Sequence, residues 1–395
     1  VWAAREQLKE LRKHNVSDVA VLVLETKTGK PVVYVANGGV AQDGARYSSA
    51  SQIDGIQSRR QLGSTIKPFV YAMAYELGVI DPSTLLTDSP EHIDVGDGRV
   101  YQPRNYDHVF RGFVGAGEAL GSSMNVPAVR VLNLVSESRV LEAMHKLGFG
   151  DLGDDEQYGP SLALGTVDAT LWELAEAYRR LSLFDESKFD DSEKDGEFFS
   201  KATKQMIFES LAVPENRRFT FGIQSPLQLP FPAAVKTGTS KDMRDNWCVG
   251  YTSEYTVAVW VGNFDGSPMW NVSGLSGAAP LWRRMMQTLH RERRPQDEIP
   301  QYREPQKALP QKALSRIEYP VKGMRVGLDP DIPPHLQKLP LRVEGDGRGL
   351  LLYMNGRRLS SAERIHMWTP RFGRHRLELR DRGGRVVDDV SFFVR

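Results

Sequence analysis

Two strongly β-forming segments, one on each side of a helical region, constrain the fold of this chain more than any other feature. The first, VAVLVLETKTGKPVVYVA (19–36), has two apolar runs around a turn in which Gly29 suits a positive φ, the pattern of a β-hairpin. The second, DNWCVGYTSEYTVAVWVGN (245–263), has the residue alternation expected of two or three antiparallel strands. Helical patterns at 63–77, 117–135 and 171–183 lie between them. We therefore expect an α/β (α+β) fold in which the last strands pair with the first hairpin in an antiparallel sheet.

The chain of 395 residues is long enough for two domains, since single hydrophobic cores rarely grow past roughly 250 to 300 residues. We expect a charged connector helix over 1–16 and the main domain over 17–290. The stretch 185–197 is acidic and irregular, which predicts an exposed loop. Residues 291–314 are rich in Arg, Gln, Pro and Lys, which indicates a linker. Short strand-like runs separated by Gly, Pro and Asp over 315–395 predict a small all-β sandwich domain.

Composition and charge exclude several classes of protein and site. With 51 Lys and Arg against 50 Asp and Glu, the chain has no field suited to nucleic acid or to an acidic membrane surface. The single cysteine, Cys248, excludes an internal disulfide and a multi-cysteine metal site. His92, His108 and His145 lack the spacing of metal ligands, so we expect no metal site. No apolar run approaches the ~20 residues that cross a bilayer, and a start at Val1 rather than Met suggests a processed or partial chain.

Bulky side chains of the β-rich segment are expected to pack rather than to bind ligands. We expect Cys248 to be a small buried residue within a strand. The tryptophans expected to pack in the core or along a groove are Trp247, Trp260, Trp270 and Trp282.

The segment QLGSTIKPFVYAMAYELG (61–78) places a serine and a lysine at the start of a buried helix. Pro68 is tolerated only in or near the first turn, so it fixes the helix start close to Ser64. Three residues along a helix bring Lys67 to the same face as Ser64. The apolar run that follows buries the helix, and desolvation then favours an uncharged amine that can take the serine proton. A capping serine and a surface lysine would give the same pattern, so S-x-x-K alone does not decide.

Two further elements point to the same chemistry. Ser123 and Asn125, in SSMNVPAVRVL, form the chain's S-x-N, which alone could be an ordinary turn before a helix. The triplet K-T-G occurs twice, at 27–29 and at 236–238. The first copy is explained by its hairpin turn, so we select the second, in which Lys236 supplies a fixed cation beside hydroxyls on an edge strand. Gly238 would let that strand approach the serine closely.

S-x-x-K, S-x-N and K-T-G in this order are the set shared by penicillin-binding proteins and class A β-lactamases. The chain most closely resembles bifunctional penicillin-binding proteins of the 1C type, through GSTIKPF, SSMNVPAVRVL, LALGTVDATLWELAEAYRRL, KTGTSKDMRDNW and VAVWVGN. The resemblance covers the first domain almost throughout. It implies the serine β-lactamase/transpeptidase-like fold, with helices on both sides of the antiparallel sheet. The β-rich tail resembles the C-terminal domain of that type more weakly.

The resemblance also implies a peptidoglycan DD-transpeptidase that cross-links stem peptides, is acylated by β-lactams and needs no metal or organic cofactor. Ser64 would carry the acyl group and Lys67 would be its base, assisted by Asn125. Ser123 and Lys236 would pass a proton to the leaving amine. The backbone N–H groups of Ser64 and Thr239 would form the oxyanion hole. The residues implied to bind the substrate's terminal carboxylate and strand are Thr237, Gly238 and Thr239.

The 1C type acts in the periplasm and carries a membrane anchor and a glycosyltransferase domain, neither of which is visible in this sequence. The tail could dock a cell-envelope protein or glycan. Two alternatives stay open. A β-lactamase would need an acidic residue to activate water, and no E-x-x-L-N segment lies between Ser123 and Lys236. A non-catalytic β-lactam sensor or scaffold would be acylated or bind stem peptides without releasing D-alanine.

Overall fold

The structure, a computed structural model, describes residues 1–38, 50, 52–90, 93–94, 100–152, 158–182, 198–222, 225–291, 315–321, 324–326, 328, 337–344, 349–362 and 366–395. The predicted acidic loop and nearly all of the predicted linker lie outside these residues. The chain divides into two compact units, Val1–Tyr302 and Arg303–Arg395. The finer domain limits proposed from the sequence stay predictions.

The described residues of the first unit form both strands and helices. The strands are β1 (Asp18–Glu25), β2 (Pro31–Val35), β3 (Arg60–Gln61), β4 (Leu85–Asp88), β5 (Ile93–Asp94), β6 (Val100–Tyr101), β7 (Gly112–Gly115), β8 (Asp168–Ala169), β9 (Ala234–Thr239), β10 (Asp245–Tyr251) and β11 (Tyr255–Gly262). The helices are α1 (Trp2–Leu11), α2 (Lys67–Glu76), α3 (Ala116–Gly121), α4 (Asn125–Val135), α5 (Glu137–Lys146), α6 (Leu171–Ser182), α7 (Lys201–Ala212), α8 (Arg218–Phe221) and α9 (Ala279–Leu289). No described helix combines the length and apolarity needed to cross a membrane.

A five-stranded antiparallel sheet with the order β2-β1-β11-β10-β9 forms the centre of this unit. Strand β1 pairs with β11 along its whole length, from Asp18 opposite Gly262 to Glu25 opposite Tyr255. The prediction that the last strands return to the first hairpin is therefore confirmed. Gly29 has φ +67° in the hairpin turn, as expected. Strand β9 comes last in the order, which places the K-T-G segment at a sheet edge.

Helices cover both faces of the sheet, as the sequence predicts. Alternate residues of β1 point to opposite faces. Ala20, Leu22 and Leu24 enter a core shared with α2, α4, α6 and α7. Val19, Val21 and Val23 enter a second core shared with α1 and α9. The sheet is therefore the middle layer of three, with hydrophobic side chains on each face.

The described part of the second unit contains β-strands and no helix. Its strands are β12 (Arg316–Tyr319), β13 (Arg325–Val326), β14 (Leu339–Glu344), β15 (Leu351–Met354), β16 (Arg357–Ser361), β17 (His366–Trp368), β18 (Gly373–Arg380) and β19 (Val386–Val394). They form a three-stranded sheet, β12-β14-β17, and a five-stranded sheet, β13-β19-β18-β15-β16. Leu341 from the first sheet and Leu352, Leu377 and Phe392 from the second share one buried core. The predicted small all-β domain is confirmed.

Two sequence predictions need correction. The helical pattern over 117–135 is interrupted, since α3 ends at Gly121 and α4 begins at Asn125. Ser123 between them has φ +58°, and a helix does not continue through a residue in the left-handed region. Trp270 was expected to pack, but 60% of its surface is exposed. Trp247, Trp260 and Trp282 are buried as predicted.

Phe69 on α2 provides a test of the core that supports the helix. Its ring is fully buried and meets Phe149 and Tyr178 edge to face, with centroids 5.6 and 5.4 Å away. We expect Phe69→Ala to lower the free energy of unfolding by about 3 to 5 kcal/mol, because it leaves a cavity. Guanidinium unfolding followed by tryptophan fluorescence measures this, since six of the seven tryptophans lie in the first unit.

Phe113→Ala is the matched control, because 71% of the Phe113 side chain is exposed. It should change the unfolding free energy by less than about 0.5 kcal/mol. Equal effects of the two substitutions would contradict the described packing of α2.

Candidate active site

Ser64 lies in a short 3₁₀ turn, Gly63–Ile66, that runs directly into α2. The Lys67 N–H donates to the Ser64 carbonyl, and in a 3₁₀ turn side chains three residues apart eclipse one another. Pro68 is the second residue of α2, where a backbone N–H has no intrahelical partner. Ser64 is half-buried while its chain neighbours Gly63 and Thr65 are buried. Ser64 is therefore accessible to solvent, whereas the residues on either side of it in the chain are not.

Backbone contacts at two glycines hold this turn on both sides. Gly63 has φ +56°, and a Cβ there would lie 2.6 Å from the Thr239 carbonyl oxygen. Gly165 has φ +78°, and a Cβ there would lie 1.9 Å from the Gly63 carbonyl oxygen. The Gly63 N–H donates to the Gly165 carbonyl at 2.9 Å. Only glycine allows the Gly63 turn, the Gly165 segment and strand β9 to approach this closely. Gly63 and Gly165 therefore determine the position of Ser64.

The Lys67 amine is completely enclosed and makes two hydrogen bonds. Its Nζ donates to the Ser123 carbonyl oxygen and to Asn125 Oδ1, each at 2.7 Å. Among the described residues, no carboxylate lies within ion-pair distance of this nitrogen. Burial lowers the pKa of Lys67 well below its usual range, and the nearby Lys236 lowers it further.

This hydrogen-bond pattern suits a neutral amine. A neutral amine has two N–H donors and one lone pair, and the two acceptors account for both donors. The lone pair then stays available to accept a proton. Lys67 is fully buried, as predicted for S-x-x-K, whereas the predicted bond from the Ser64 hydroxyl to its amine stays a prediction.

Ser123 connects the two lysines from the turn between α3 and α4. Its carbonyl accepts from Lys67, and its Oγ lies 2.7 Å from Lys236 Nζ. The φ of +58° is unfavourable for serine, so surrounding contacts must hold this conformation. Ser122, by contrast, donates its hydroxyl to the Asn216 carbonyl, away from both lysines. The structure therefore places Ser123, as predicted, in the cluster.

Asn125 begins α4 and its side-chain amide has one orientation that satisfies both of its partners. Its Nδ2 donates to the Arg104 carbonyl at 2.8 Å, so Oδ1 faces Lys67. A carbonyl oxygen can only accept, so a reversed amide would set Asn125 Oδ1 against the Arg104 carbonyl oxygen and lose that bond. Arg104 was not selected from the sequence, because its contribution is a backbone carbonyl that no side-chain motif marks.

Strand β9 brings Lys236 to the other side of Ser123. Its Nζ donates to the Thr237 carbonyl at 2.9 Å, and the side chain is 1% exposed. Burial lowers the pKa of Lys236 to about 7. The sequence suggested a fixed cation here, whereas this pKa leaves the amine only partly protonated at neutral pH.

The remaining residues of β9 lie against the Ser64 turn and a following loop. A Cβ on Gly238 would lie 2.7 Å from the Leu62 carbonyl oxygen, so the predicted close approach is confirmed. Thr239 is half-buried, and its Oγ1 accepts from the Gly274 N–H at 3.0 Å. Its hydroxyl hydrogen is then free to donate to a ligand. Thr237 is 6% exposed.

Hydrogen bonds thus join Lys67, Ser123, Asn125 and Lys236, and Ser64 lies one 3₁₀ turn before Lys67. The other K-T-G copy, 27–29, stays in the β1–β2 turn. Sequence reasoning missed the supporting glycines at 63 and 165, although a glycine directly before the serine in LGSTIKPF was a visible signal. In the part of the chain that the structure describes, no group of three His, Cys, Asp or Glu side chains is placed to hold a metal ion.

Comparison with known families gives two matches. Residues 19–287 match the penicillin binding protein transpeptidase domain, and residues 305–392 match the penicillin-binding protein C-terminus family. The chain is 32% identical over 248 residues to penicillin-binding protein 1C of Escherichia coli (strain K12), which covers 61% of this chain and 31% of that protein. It is 31% identical over 290 residues to penicillin-binding protein 1A of Aquifex aeolicus, with 69% and 38% covered. The chain thus spans about a third of the length of these relatives.

Solved structures share the fold at low sequence identity. Penicillin-binding protein 1A from Haemophilus influenzae aligns with a TM-score of 0.59 at 20% identity, covering 78% of this chain and 50% of that one. The PonA1 protein from Mycobacterium tuberculosis in complex with penicillin V aligns with a TM-score of 0.59 at 22% identity, covering 74% and 83%. These similarities support the predicted fold class.

Lys236 should reduce the stability of the fold in which it is buried. In the unfolded chain this amine has the ordinary lysine pKa of 10.5, whereas in the folded chain its pKa is about 7, so the unfolded state binds more protons between these values. Stability therefore rises with pH across that window, and the cost of burying the amine is largest at or below pH 7. We expect Lys236→Met to raise the free energy of unfolding most at pH 6 and least near pH 10.

Denaturant unfolding of both proteins at pH 6, 8 and 10 measures this difference. Lys241→Met is the control, because Lys241 is exposed, and it should show no such trend. A gain for Lys236→Met that is equal at pH 6 and pH 10 would contradict the lowered pKa.

Proposed function

Since the chain belongs to the penicillin-binding protein transpeptidase family, we propose that Ser64 is an acylated nucleophile that cross-links peptidoglycan stem peptides. The observation that carries this proposal is a half-exposed serine placed three residues before a buried lysine whose two N–H donors are already used. A serine hydroxyl is a poor nucleophile until a neighbouring base removes its proton. Lys67 supplies that base with no change in its own hydrogen bonds.

Acylation would transfer the stem peptide to the enzyme. Ser64 Oγ attacks the carbonyl carbon of the penultimate D-alanine while its proton passes to Lys67 Nζ. The oxyanion that forms accepts hydrogen bonds from the backbone N–H groups of Ser64 and Thr239. Preorganised donors of this kind are typically worth roughly 3 to 4 kcal/mol of barrier each. The turn at Gly63 and the edge of β9 are in backbone contact, which fixes the spacing of the two donors.

Collapse of the intermediate would break the C–N bond and release the terminal D-alanine. Its nitrogen needs a proton, which the Ser123 hydroxyl supplies, and Ser123 recovers one from Lys236 or Lys67. The 2.7 Å contact between Ser123 Oγ and Lys236 Nζ supports this path. An amine of a second stem peptide then attacks the ester, its proton leaves through Lys67, and Ser64 is regenerated with a new amide bond formed.

The terminal carboxylate of the substrate would bind beside β9. The Thr239 hydroxyl is free to donate because its oxygen already accepts from Gly274, and Thr237 precedes it by two residues on the same strand face. A carboxylate near Lys236 would raise the pKa of that amine and hold it protonated. Lys236 then acts as the cation that the sequence suggested, but only with substrate bound. Gly238 leaves room for the peptide to pair with the strand edge.

The cellular location of this reaction is proposed from the similarity to the relatives. We place the protein in the periplasm of a bacterium, attached to the inner membrane through a part of a longer parent chain. The second unit would contact a cell-envelope partner. We propose β-lactam antibiotics as inhibitors because they mimic the D-alanyl-D-alanine end and acylate Ser64.

Mass spectrometry after incubation with a fluorescent penicillin tests the nucleophile. We expect one adduct per chain that persists for hours and is absent from Ser64→Ala. Ser58→Ala is the matched control, since Ser58 donates its hydroxyl to the Asp54 carbonyl outside the cluster, and it should label normally. Labelling of Ser64→Ala at the wild-type level would overturn the assignment.

Product analysis distinguishes the transpeptidase from its alternatives. With a synthetic stem pentapeptide ending in D-alanyl-D-alanine, we expect release of D-alanine, with transfer when an acceptor amine is present. A peptide ending in D-alanyl-L-alanine serves as the control and should give no release. Rapid turnover of nitrocefin would instead identify a β-lactamase, and labelling without any release of D-alanine would identify a sensor or scaffold.

A further inference from the structure

Helix α4, which carries Asn125, starts without a capping side chain of its own. The residue at its N-cap position is Met124, which makes no side-chain cap. The first N–H groups of a helix have no intrahelical acceptor and need one from elsewhere. Here the third helical residue is Pro127, which has no N–H, so the N–H groups of Asn125 and Val126 are the first that need acceptors.

Asn105 supplies that acceptor from a distant loop. Its Oδ1 accepts from the Asn125 N–H at 3.0 Å and from the Val126 N–H at 3.4 Å. Asn105 lies twenty residues before Asn125 in the sequence and is 4% exposed. An amide oxygen that takes the first N–H groups of a helix does what an N-cap side chain does.

The orientation of the Asn105 amide is fixed by acceptors on its other side. Its Nδ2 donates to Asp88 Oδ1 and Oδ2 at 2.8 and 3.0 Å and to the Val109 carbonyl at 2.9 Å. These partners can only accept, so the amide oxygen must face α4. Asp88 is itself completely buried and accepts from the Arg111 N–H at 2.9 Å. Its carboxylate polarises the amide and makes the oxygen a stronger acceptor at the positive end of α4.

The same loop also orients the Asn125 side chain, through the Arg104 carbonyl that accepts from Asn125 Nδ2. Two adjacent residues therefore hold both the backbone and the amide of Asn125. From Asp88 a continuous series of hydrogen bonds runs through Asn105 and Asn125 to Lys67 Nζ. Each step has one allowed donor and acceptor order, so the series determines which side of the Lys67 nitrogen is left for Ser64.

We propose that Asn105, oriented by Asp88, is a positioning residue for acylation. It touches neither substrate nor the reacting atoms, and it acts by fixing Asn125 and hence the direction of the Lys67 lone pair. This inference rests on the proposed function, since its effect is measured as acylation of Ser64. Misplacement of a catalytic group by about 1 Å is enough to cost on the order of 100-fold in rate.

Stopped-flow labelling with a fluorescent penicillin separates initial binding from the acylation rate constant. We expect Asn105→Ala to lower the acylation rate constant by about 10- to 100-fold and to leave initial binding within about twofold, because no ligand contact is lost. Ser200→Ala is the matched control, since Ser200 caps α7 by accepting from the Thr203 N–H at 3.3 Å and lies outside the cluster. It should lose thermal stability but acylate at the wild-type rate.

Exchanging the side chains of residues 88 and 105 tests the orientation of the Asn105 amide directly. This exchange can also be used if Asn105→Ala does not fold. Asn105→Asp alone sets two carboxylates against each other and should acylate slowly. In the double variant Asp88→Asn with Asn105→Asp, the new amide donates to the new carboxylate and can still accept from the Arg111 N–H. The carboxylate then accepts from α4, and the double variant should recover the larger part of the lost rate.

Failure of the positioning role can be distinguished from failure of the proposed function. If the wild-type chain does not label at Ser64, the proposed function fails before Asn105 is tested. If the wild type labels and Asn105→Ala acylates as fast as Ser200→Ala, the positioning role is wrong. A double variant no faster than Asn105→Asp would also overturn it, since Asp88 would then have no part in orienting residue 105.

Discussion

The site depends on the enclosure of the Lys67 amine in a place that offers hydrogen-bond acceptors but, among the described residues, no carboxylate to balance a charge. A protonated amine in that position would lose its hydration without gaining a counterion, so the neutral form is favoured. Lys236 adds to this, because two ammonium groups in one buried cluster repel each other. The chemistry proposed for the serine follows from this arrangement, since a neutral amine is a base and an ammonium is not.

A base of this kind is useful only when its direction is fixed, and the fold fixes it through main-chain contacts at the Ser64 turn and through the side-chain amide of Asn125. The Ser64 turn is in contact with Gly165 on one side and with β9 on the other, at distances that leave no space for a Cβ at Gly63. The start of α4 places Asn125 where its amide can accept from the lysine. Because the contacts at Gly63 and Gly165 are made by main-chain atoms, a change in the Ser64 turn requires movement of whole segments. Rigid support of this kind is what electrostatic preorganisation needs.

Much of this could be predicted from the sequence, because the relevant patterns are local and strong. The hairpin at one end and the alternating strands at the other predicted the central sheet, and Pro68 predicted where α2 begins. The three motifs predicted which side chains meet. The helix predicted over 117–135 continued through Ser123, although Gly121, Ser122 and Asn125 are weak helix formers and the S-x-N element itself suggested a turn. Trp270 was misassigned because exposure cannot be inferred from residue type alone.

The residues that the sequence did not reveal support the site through backbone atoms or from a distant loop. Gly165 and Arg104 act through their backbones, and Asn105 caps a helix that begins twenty residues later. None of these has a side-chain pattern at fixed spacing, so only the folded chain shows them. The fixed charge assigned to Lys236 was also revised, since burial is a property of the fold and lowers its pKa to about 7. Motifs therefore marked the candidate reacting groups, whereas the structure shows which residues hold them and that burial lowers the pKa values of both lysines.

A neutron crystal structure of the unliganded protein near neutral pH would test the central claim most directly, because it locates hydrogen atoms on nitrogen. The account predicts two hydrogens on Lys67 Nζ, one directed to the Ser123 carbonyl and one to Asn125 Oδ1, with the Ser64 hydroxyl hydrogen directed at the remaining side of the nitrogen. Three hydrogens on Lys67 Nζ, or a Ser64 hydroxyl directed elsewhere, would contradict it.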